Sequence, residues 1–576
     1  MNKILVKVAA FVLGLGLMTA CTNNDEPDNG NTASAGSTYM SVAINLNTAG
    51  GSRADGQEDT AGNPDNNFVG KWAGKDKIKT IDVYVFNNTD LLEAYQSFVA
   101  GQFQVHGAAA DHSVTITPSK GIKVLPGDKK VYVVVNPTTE TQNFLPHVVN
   151  TTTLAEFQAK YENVADVATN NLAPAVENNL TATVKTPADK IASVDSDNTD
   201  VITMTAIELA SVAVVDNVSE AATLSGNTTN RAKLTVKRAV ARVMVTTKAE
   251  SFEIKGDDAL TATVETEEVL GTIKNIKYVV AQGEKSLYFM QRKGGTTDLT
   301  YKTPNSSYVA NGTNYTWDKA GNMYDYSGLW KNSGSTNIQG IPVPTKALYD
   351  ATASTALSKI TADLVTQLNG EFILPNTHTW GATQDASGYR KANTAYILVR
   401  AQFTPKKVVM DNGSINDAYT EGKTFYLGAN GVFYESVTAA RDASKKGVAG
   451  QTAAKYEKGK VLYFAWINPD HADTGKWINS PINRNNIYHV QINGFKRIGA
   501  NWNPLVPNHP NNPTDPTNNP NNPDPKPGDE DPQNPNEPEN PPVDPKDPLT
   551  PKETWMSVQT TILPWNVHSY AVILDI

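Results

Sequence analysis

Histidines and adjacent acidic residues are the side chains of this chain that could bind a metal or act as a general acid and base. The sequence contains no His-Glu-x-x-His motif, no phosphate-binding glycine loop before a helix and no Gly-x-Ser-x-Gly elbow. Acidic pairs such as Asp257-Asp258 and Glu267-Glu268 are more typical of solvated turns than of a glycosidase carboxylate pair. The histidines are dispersed, without metal-ligand spacing, at His106, His112, His147, His378, His471, His489, His509 and His568. We therefore expect no cofactor, no metal site and no enzymatic activity.

The single cysteine, Cys21, points to a different chemistry. Two lysines precede an apolar run over residues 8–18, which is the layout of a secretory signal and is too short for a lasting membrane span. Residues 17–21, Leu-Met-Thr-Ala-Cys, resemble a bacterial lipobox, with Met18 where leucine is usual. This motif implies cleavage after Ala20 and acylation of the Cys21 thiol. An ordinary secretory signal with an incidental cysteine is the alternative.

Arg53 is a candidate for proteolytic processing. It lies in the polar, glycine-containing stretch 49–56, and no other Lys or Arg occurs between Lys7 and Lys71. A trypsin-like protease would meet it as an isolated basic residue in exposed chain and would cleave between Arg53 and Ala54. The alternative is an ordinary solvated arginine in a loop.

Two segments near opposite ends of the sequence share one pattern. Residues 39–46 and 555–562 both begin with an aromatic residue followed by Met-Ser-Val, and in both of them alternate positions form one face. This period is typical of a half-buried β-strand. Two segments with one pattern could fill the same position in a sheet, so we expect that the first strand can be lost and that the last can be lent to a neighbour. The faces consist of Met40, Val42, Ile44 and Leu46 in the first segment and of Met556, Val558, Thr560 and Ile562 in the second. The alternative is two ordinary edge strands that match by chance.

Short strand-like runs dominate the sequence after Lys71, and helical periodicity is scarce. The runs are rich in Val, Ile, Tyr and Phe and are bounded by Gly, Pro, Asn and Asp. A capping box at Thr153-Leu154-Ala155-Glu156 predicts a helix to about residue 162, and residues 358–368 predict another. The clearest strands are predicted at residues 80–86, 131–135, 235–246, 276–280, 396–403, 461–467 and 487–492. Many short strands and few helices indicate β-sandwiches, and the length of 576 residues fits two, meeting near residues 225–240.

Residues 507–551 are predicted to be a linker. They hold 16 of the chain's 33 prolines, separated mainly by Asn and Asp, and contain no aromatic residue. We expect this segment to be extended and semi-rigid and to neither pair into a sheet nor pack in a core.

A strand pair is predicted after the linker. Residues 555–563 and 567–574 are both strand-like, and so short a pair must dock onto a sheet of its own molecule or of another. Either strand is a candidate for donation to a neighbour, so Val567, Ala571 and Ile573 join the four residues of the first strand as donor candidates.

Charge, cysteine content and hydropathy exclude several kinds of partner and of structural stabilisation. The net charge of −9 and the scattered basic residues argue against nucleic acid. One cysteine excludes an internal disulfide framework. After residue 20 no segment is apolar and long enough to cross a membrane, so we expect membrane attachment only through a lipid.

Together these features resemble the type V fimbrillins of Bacteroidia-class bacteria, over nearly the whole chain. The resemblance rests on the order and spread of several short matches, since no single one is decisive. They are Cys21, Tyr39-Met40-Ser41-Val42, Ser52-Arg53-Ala54, residues 69–78 (Val-Gly-Lys-Trp-Ala-Gly-Lys-Asp-Lys-Ile), residues 236–242 (Val-Lys-Arg-Ala-Val-Ala-Arg), Leu374-Pro375-Asn376-Thr377-His378, residues 483–489 (Asn-Arg-Asn-Asn-Ile-Tyr-His) and residues 563–570 (Leu-Pro-Trp-Asn-Val-His-Ser-Tyr).

The resemblance implies an all-β fold with two transthyretin-like β-sandwich domains and a lipoprotein precursor at the outer membrane. An arginine-specific surface protease then removes the leader strand, and a C-terminal strand of another copy fills the groove in the extracellular fimbrium. The implied partners are further copies of the chain, minor tip and anchor subunits, and receptors on host cells or other bacteria. The expected layout is a signal peptide (1–20), a lipidated propeptide with the leader strand (21–53), two sandwiches (54–230 and 231–506), the linker (507–551) and a donor strand segment (552–576).

Two other classes of function remain open on the sequence. One is a monomeric surface lipoprotein that binds glycan or protein, with the proline-rich segment as a stalk. The other is a secreted glycan-active enzyme whose carboxylates converge only in space.

Overall fold

We describe the following residues of a computed structural model of the chain: 37–47, 76–106, 113–161, 164–165, 186–206, 208–225, 229–260, 268–293, 301–306, 323–331, 338–345, 370–381, 383–469, 477–503, 505, 524, 544–550, 556–564 and 569–572. Cys21, Arg53 and Ala54 lie outside these residues, as does the helix predicted at residues 358–368.

The first half of the chain forms one β-sandwich. Its strands are β1 (Thr38–Asn47), β2 (Thr80–Phe86), β3 (Leu92–Val99), β4 (Phe103–His106), β5 (Ser113–Pro118), β6 (Ile122–Val124), β7 (Gly127–Val135), β8 (Val164–Ala165), β9 (Ala192–Val194), β10 (Asp200–Ile202), β11 (Met204–Ala206), β12 (Ala210–Val214) and β13 (Arg231–Arg238). Ten of these strands hydrogen-bond in the order β3-β2-β7-β11-β13-β1-β5-β4, with β12 on β7 and β6 on β1. Strands from both ends of this order contribute to one apolar cluster, so the sheet closes around a common core.

Alternation along the strands determines which residues enter that core. In β2, Ile81, Val83 and Val85 belong to the core cluster of the sandwich. Tyr84 and Phe86 point to the opposite face, where they join a second cluster with two short helices. Because both faces of β2 are covered, its sequence is almost continuously apolar.

The α-helices are short. They are α1 (Thr139–Phe144), α2 (Leu154–Tyr161), α3 (Glu220–Leu224) and α4 (Val437–Arg441), and 3₁₀ turns occur at Ala188–Lys190, Ser327–Trp330, Ala443–Lys445 and Glu457–Gly459. The capping box predicted for α2 is confirmed. The Glu156 amide donates to Thr153 Oγ1 at 3.2 Å, and the Thr153 amide donates to Glu156 Oε2 at 2.9 Å.

The second half of the chain forms another β-sandwich. Its strands are β14 (Ala241–Thr247), β15 (Phe252–Gly256), β16 (Glu268–Ala281), β17 (Gly283–Glu284), β18 (Leu287–Tyr288), β19 (Arg292–Lys293), β20 (Tyr301–Lys302), β21 (Tyr324–Asp325), β22 (Ile341–Pro342), β23 (Glu371–Ile373), β24 (Tyr396–Pro405), β25 (Val408–Val409), β26 (Ile415–Asn416), β27 (Phe425–Gly428), β28 (Phe433–Tyr434), β29 (Ala453–Tyr456), β30 (Lys460–Trp466), β31 (Asn486–Phe495), β32 (Met556–Pro564) and β33 (Ser569–Val572).

Two sheets of this second sandwich face each other across its core. One has the order β23-β14-β31-β32-β33, and the other has the order β15-β16-β24-β30 with β22 on β16. Apolar residues of β14 and β31 from the first sheet and of β24 and β30 from the second share one cluster. The predicted class, all-β with two transthyretin-like sandwiches and a few short helices, is confirmed.

A nearly continuous extended run links the two sandwiches. β13 belongs to the first and β14 to the second, and the fully buried residues Ala239 and Val240 lie between them. We therefore propose the domain boundary at residues 239–240, a few residues beyond the expected division at 230/231.

Buried arginines cross-link the sandwiches beside this junction. Arg238 Nη1 donates to Asn485 Oδ1 at 2.9 Å, and Arg242 Nη1 donates to Asp200 Oδ2 at 2.7 Å. Arg484 Nε donates to the Arg238 carbonyl oxygen at 2.9 Å. Since the cost of burying these charges is offset by paired partners on both halves, the junction is held in a defined geometry.

The proline-rich segment differs from its prediction. The interpretation of residues 507–551 as unable to pair or pack is wrong for the described part of the segment, because Leu549 is fully buried in the second sandwich. The amide of Ala392 donates to the Pro545 carbonyl at 3.2 Å, and that of Ile478 donates to the Leu549 carbonyl at 3.0 Å. Proline lacks an N–H donor but keeps its carbonyl, so such a segment can still accept hydrogen bonds from a neighbouring strand.

Asp524 is a second attachment point of the same segment. Its carboxylate is 2% exposed, accepts from Arg400 Nε at 2.9 Å and lies 3.3 Å from Lys460 Nζ. Burial alone would raise the pKa of the Asp524 carboxyl, but the charges of Arg400 and Lys460 hold it below its ordinary value.

Candidate functional site

The position of β1 in the first sandwich, which we call the β1 slot, is the centre of the candidate site. β1 runs parallel to β13 over six residue pairs, from Ser41↔Arg231 to Leu46↔Val236. On its other side it is antiparallel to β5 and, through its first residues, to β6. β1 is therefore bonded along both edges. Without it, the facing edges of β13, β5 and β6 would lose their partners.

The apolar face of β1 completes the core of its sandwich. Met40, Val42 and Ile44 have no exposed surface, and Leu46 is 2% exposed. All four belong to the core cluster that also contains residues of β2, β5, β7, β11 and β13. Removing the strand would leave a groove of four apolar positions as well as two unpaired backbone edges.

Asn230 holds the start of β1 by polar contacts. Asn230 Nδ2 donates to the Tyr39 carbonyl at 3.0 Å, and the Ser41 amide donates to the Asn230 carbonyl at 3.0 Å. Asn230 adopts a φ of 57°, a left-handed conformation that asparagine tolerates better than most residues. Its side chain and carbonyl can thus both face β1.

Two side chains on the other face of β1 also have partners. Ser41 Oγ donates to the Thr223 carbonyl at 3.0 Å and accepts from Arg231 Nε at 3.1 Å. Further along the strand, Asn45 Oδ1 accepts from Thr115 Oγ1 at 2.9 Å. These contacts lie four residues apart, so together they fix the register of the strand in the β1 slot.

β32 pairs with its own molecule. It is antiparallel to β31 over nine residue pairs, including Ile492↔Val558, Val490↔Thr560 and Tyr488↔Ile562. The three β31 residues of these pairs are buried in the core of the second sandwich.

β33 lies at the edge of this sheet. It pairs with β32 over four residue pairs, from Val558↔Val572 to Thr561↔Ser569, and Ala571 is opposite Gln559. Val567 and Ile573, which were also predicted as donor candidates, lie outside the described residues. The structure thus places the tail strands on the second sandwich and the leader residues in the first, and it does not bring the two sets together.

The sequence did not predict the acceptor side of the site. The contacts of Asn230, Arg231 and Thr115 with β1 join residues 70 to 191 positions apart. A spacing pattern within a single strand cannot show such partners. The sequence signals concerned β1 itself, namely its alternation and its match with residues 555–562.

Two ionisable groups buried in the second sandwich have shifted pKa values. Burial lowers the pKa of His489 to about 3, and its Nε2 lies 2.8 Å from Thr246 Oγ1. Burial also raises the pKa of the Glu284 carboxyl to about 8. In the described part of the chain no three His, Cys, Asp or Glu side chains come together as metal ligands. The helices described above include none with the length and apolar content of a membrane span.

Comparison with known proteins identifies two matching family models. The model for the major fimbrial subunit protein FimA matches residues 38–219, and the model for the C-terminal part of fimbrillin, the type IV major fimbrial subunit protein, matches residues 454–571. The chain is 30% identical over 580 residues to the minor fimbrium subunit Mfa1 of Porphyromonas gingivalis, an alignment that covers 99% of both chains.

Two solved structures also align with this chain. A proposed cell adhesion protein of Bacteroides eggerthii aligns over 93% of this chain and 98% of its own, with 12% identity and a TM-score of 0.33. The fimbrial anchor protein Mfa2 of Porphyromonas gingivalis aligns over 50% of this chain and 72% of its own, with 13% identity and a TM-score of 0.19.

Proposed function

Because this chain belongs to the family of the minor fimbrium subunit Mfa1 and is a fimbrial subunit, we propose that it polymerises by protease-triggered exchange of a β-strand. In this proposal the chain is exported as a precursor acylated on Cys21 and is cleaved between Arg53 and Ala54 by an arginine-specific surface protease. The cleaved subunit gives up β1 and accepts a tail strand from another copy.

One observation carries the proposal: β1 lies in the interior of its sheet but is joined to the rest of its sandwich through one end. Residues 48–75, which follow it, contain Arg53. A cut at Arg53 would leave β1 attached to the sandwich by non-covalent contacts alone. No other described strand of the first sandwich could be released by a cut at that residue.

The free energy at stake explains why the slot would be refilled. Burying one apolar side chain of this size stabilises by about 1.5–3 kcal/mol, so the four of β1 contribute roughly 6–12 kcal/mol before ordering costs. This is comparable with the stability of a whole domain. An incoming strand restores both the backbone bonds and the apolar contacts, which is the mode of recognition known as β-augmentation.

The leader strand would also prevent early assembly. While β1 fills the slot, no edge of β13 or β5 is open to a second copy, and β32 stays paired with β31. Cleavage removes this protection irreversibly, since the released segment dilutes away. Assembly is thereby restricted to the cell surface where the protease acts.

The remaining partners follow from the same role. We propose that the subunit forms a homopolymer in an extracellular fimbrium that also contains minor tip and anchor subunits, and that the polymer mediates adhesion to host and bacterial surfaces. The membrane would be contacted through the lipid of the precursor. The proposed role is structural and involves no enzymatic activity, nucleic acid, metal or cofactor.

Substitution of Arg53 tests the proposal. The Arg53→Ala chain is expected to reach the cell surface and to remain monomeric. Lys71→Ala, which changes the next basic residue along the chain, is the matched control and should polymerise normally. The readout is a gel of unboiled samples, in which strand-exchanged polymers resist detergent. A ladder from Arg53→Ala equal to that of the control would contradict the proposal.

A monomeric surface lipoprotein is the second candidate, and the pairing of the tail with its own molecule favours it. The two candidates differ in the first residue of the mature protein. Ala54 is expected for the polymerising subunit, whereas acylated Cys21 on the cell surface is expected for the monomer. Mass spectrometry of the purified surface protein distinguishes them.

A further inference from the structure

We propose that a cavity beside the junction of the two sandwiches binds an acidic sugar residue. The cavity, which we call the Gln291 cavity, lies between β18, the β19–β20 strand pair and residues 375–377 and 483–484. Its volume is about 340 Å³, including the part that is open to solvent. The inference rests on the adhesive role proposed above, for which it names a site and a class of ligand.

Two buried amide side chains of the cavity wall lack hydrogen-bond partners. Gln291 is 8% exposed and Asn483 is 3% exposed. Within the described part of the chain, Gln291 Oε1, Gln291 Nε2 and Asn483 Nδ2 have no partner. By contrast, Thr303 Oγ1 in the same wall donates to the Thr377 carbonyl at 3.1 Å. Buried polar atoms are rarely left unpaired, so the two amides indicate a ligand that offers both donors and acceptors.

The charge of the wall indicates that this ligand is an anion. Arg292 and Lys302 both line the cavity and are direct cross-strand partners of the β19–β20 pair. Like charges directly opposite each other destabilise a strand pair, and an anion bound between them would offset their repulsion. Arg484 adds a third positive charge to the wall. No Asp or Glu occurs among the described residues that line the cavity.

A sugar satisfies this wall better than an acidic side chain of a protein. A carboxylate accepts hydrogen bonds but donates none, so by itself it leaves Gln291 Oε1 without a donor. Sugar hydroxyls both donate and accept, and can pair with both atoms of the Gln291 amide. Leu287, Pro304 and Pro375 also line the cavity and offer apolar contact to the C–H groups of a sugar ring. Apolar walls with a few polar groups are typical of small-ligand sites.

The size and repetition of the site fit a role in adhesion. Small-ligand pockets span about 300–1,000 Å³, and this cavity lies near the lower limit. We therefore expect it to take one terminal residue of a glycan. Each subunit of a polymer would carry one cavity, so many weak contacts would act together on a glycan-covered surface.

A ligand-observed NMR titration of the full-length wild-type chain tests the inference. The probes are glucuronic acid, which carries a carboxylate, and glucose 6-sulfate, which carries a sulfate, and glucose is the matched neutral control. We expect at least one acidic sugar to bind about tenfold or more tightly than glucose, with a smaller difference at high salt because the charges are then screened. The acidic sugar that binds more tightly identifies the acidic group.

A fourth probe represents the acidic side chain of a protein. N-acetylglutamate amide carries the carboxylate without the hydroxyls, and we expect it to bind more weakly than the preferred acidic sugar. Equal binding of glucose and the acidic sugars, tighter binding of the glutamate probe, or no binding of any probe would each overturn the inference.

Substitutions in the wall locate the bound sugar. Gln291→Leu removes both amide atoms at similar size and should weaken binding about tenfold. Gln104→Leu, at an exposed glutamine of the first sandwich, is the matched control and should bind normally. Lys302→Gln, at an exposed lysine, should weaken binding severalfold and reduce its salt dependence, whereas Lys302→Arg should retain both. Unchanged affinity in both Gln291→Leu and Lys302→Gln would place the sugar elsewhere and overturn the inference.

The unboiled gel of the cleaved wild-type chain keeps this inference separate from strand exchange. Binding of an acidic sugar by a chain that gives no ladder would support the inference and overturn strand exchange. A normal ladder from a chain that binds none of the probes would overturn the inference and leave strand exchange intact.

Discussion

β1 and β31 occupy corresponding positions in the two sandwiches. Each is parallel to the strand at the junction, β13 or β14, and antiparallel to a further strand, β5 or β32. Each also buries alternate residues in the core of its sandwich. They differ in how the chain continues beyond them. β31 lies within the described residues 477–503 and is flanked by them on both sides, whereas the segment that follows β1 contains Arg53.

The comparison shows that the pairing of a strand and its connection along the chain are separate properties. Both strands are hydrogen-bonded along both edges, so backbone pairing alone would hold β1 and β31 in their sheets equally well. Chain connection distinguishes them, since one cut can free β1 and no single cut can free β31. The second sandwich is instead closed by chain that comes later, namely residues of the proline-rich segment and β32.

The largest expected effect concerns this later chain. Asp524→Ala would leave Arg400 and Lys460 buried without their carboxylate, which costs about 3–5 kcal/mol in comparable cases. Hydrogen exchange should show loss of protection in the second sandwich and little change in the first. Asp544→Ala, at an exposed aspartate of the same segment, is the control. Equal loss in both sandwiches would show that they do not respond separately.

A pair of isoleucine substitutions tests the difference between β1 and β31 directly. Ile44→Ala and Ile492→Ala each remove a fully buried side chain and should destabilise the uncleaved chain by about 2–5 kcal/mol. After cleavage and polymerisation the effect of Ile44→Ala should vanish, because β1 is gone, while that of Ile492→Ala should persist. Denaturant midpoints of precursor and polymer measure both. Persistence of the Ile44→Ala effect in the polymer would mean that β1 is retained.

Acid should weaken the second sandwich through His489. Its pKa is about 3 in the folded chain and near 6.5 when exposed, so between these values the unfolded state binds more protons. The stabilising contribution is complete above pH 6.5 and is lost as the pH falls, with about 2 kcal/mol lost at pH 5.

Denaturation of the His489→Gln chain over pH 4–7 measures this contribution, and its profile should be flatter than that of the wild type. His106→Gln, at an exposed histidine of the first sandwich, should leave the wild-type slope unchanged. Parallel profiles for wild type and His489→Gln would refute the assignment.

The smallest expected effect concerns the polar register contact of β1. Ser41→Ala removes a hydroxyl that bonds the Thr223 carbonyl and Arg231, and should cost about 1 kcal/mol in the uncleaved chain. Thr246→Val, which removes a hydroxyl 2.8 Å from His489 Nε2, is the counterpart in the second sandwich. Thermal unfolding before and after cleavage should show that only the Thr246→Val effect survives. A Ser41→Ala effect that outlasts cleavage would argue against loss of the strand.

Local patterns predicted individual strands well. The run at residues 80–86 coincides with β2, since alternation and boundaries are properties of the run itself. Residues 235–246 were predicted as one strand, but the structure divides them between β13 and β14. The apolar character continues through Ala239 and Val240, so the sequence gives no sign that the chain passes from one sandwich to the other.

Long-range partners could not be predicted in the same way. The parallel pairing of β1 with β13 joins residues 190 apart in the sequence. Asp524 lies among prolines and glycine and resembles any solvated linker residue until Arg400 and Lys460 are brought to it by the fold.

The pairing of β1 along both edges has a mechanical consequence for a strand bound in its place. A pull along the strand axis would stretch the bonds to β13 and to β5 at the same time, so they would have to fail together. A hairpin peeled from one end loses its bonds one after another and yields to a much weaker force. A fibre joined by such inserted strands would therefore resist the drag of flowing fluid without any covalent link between its members.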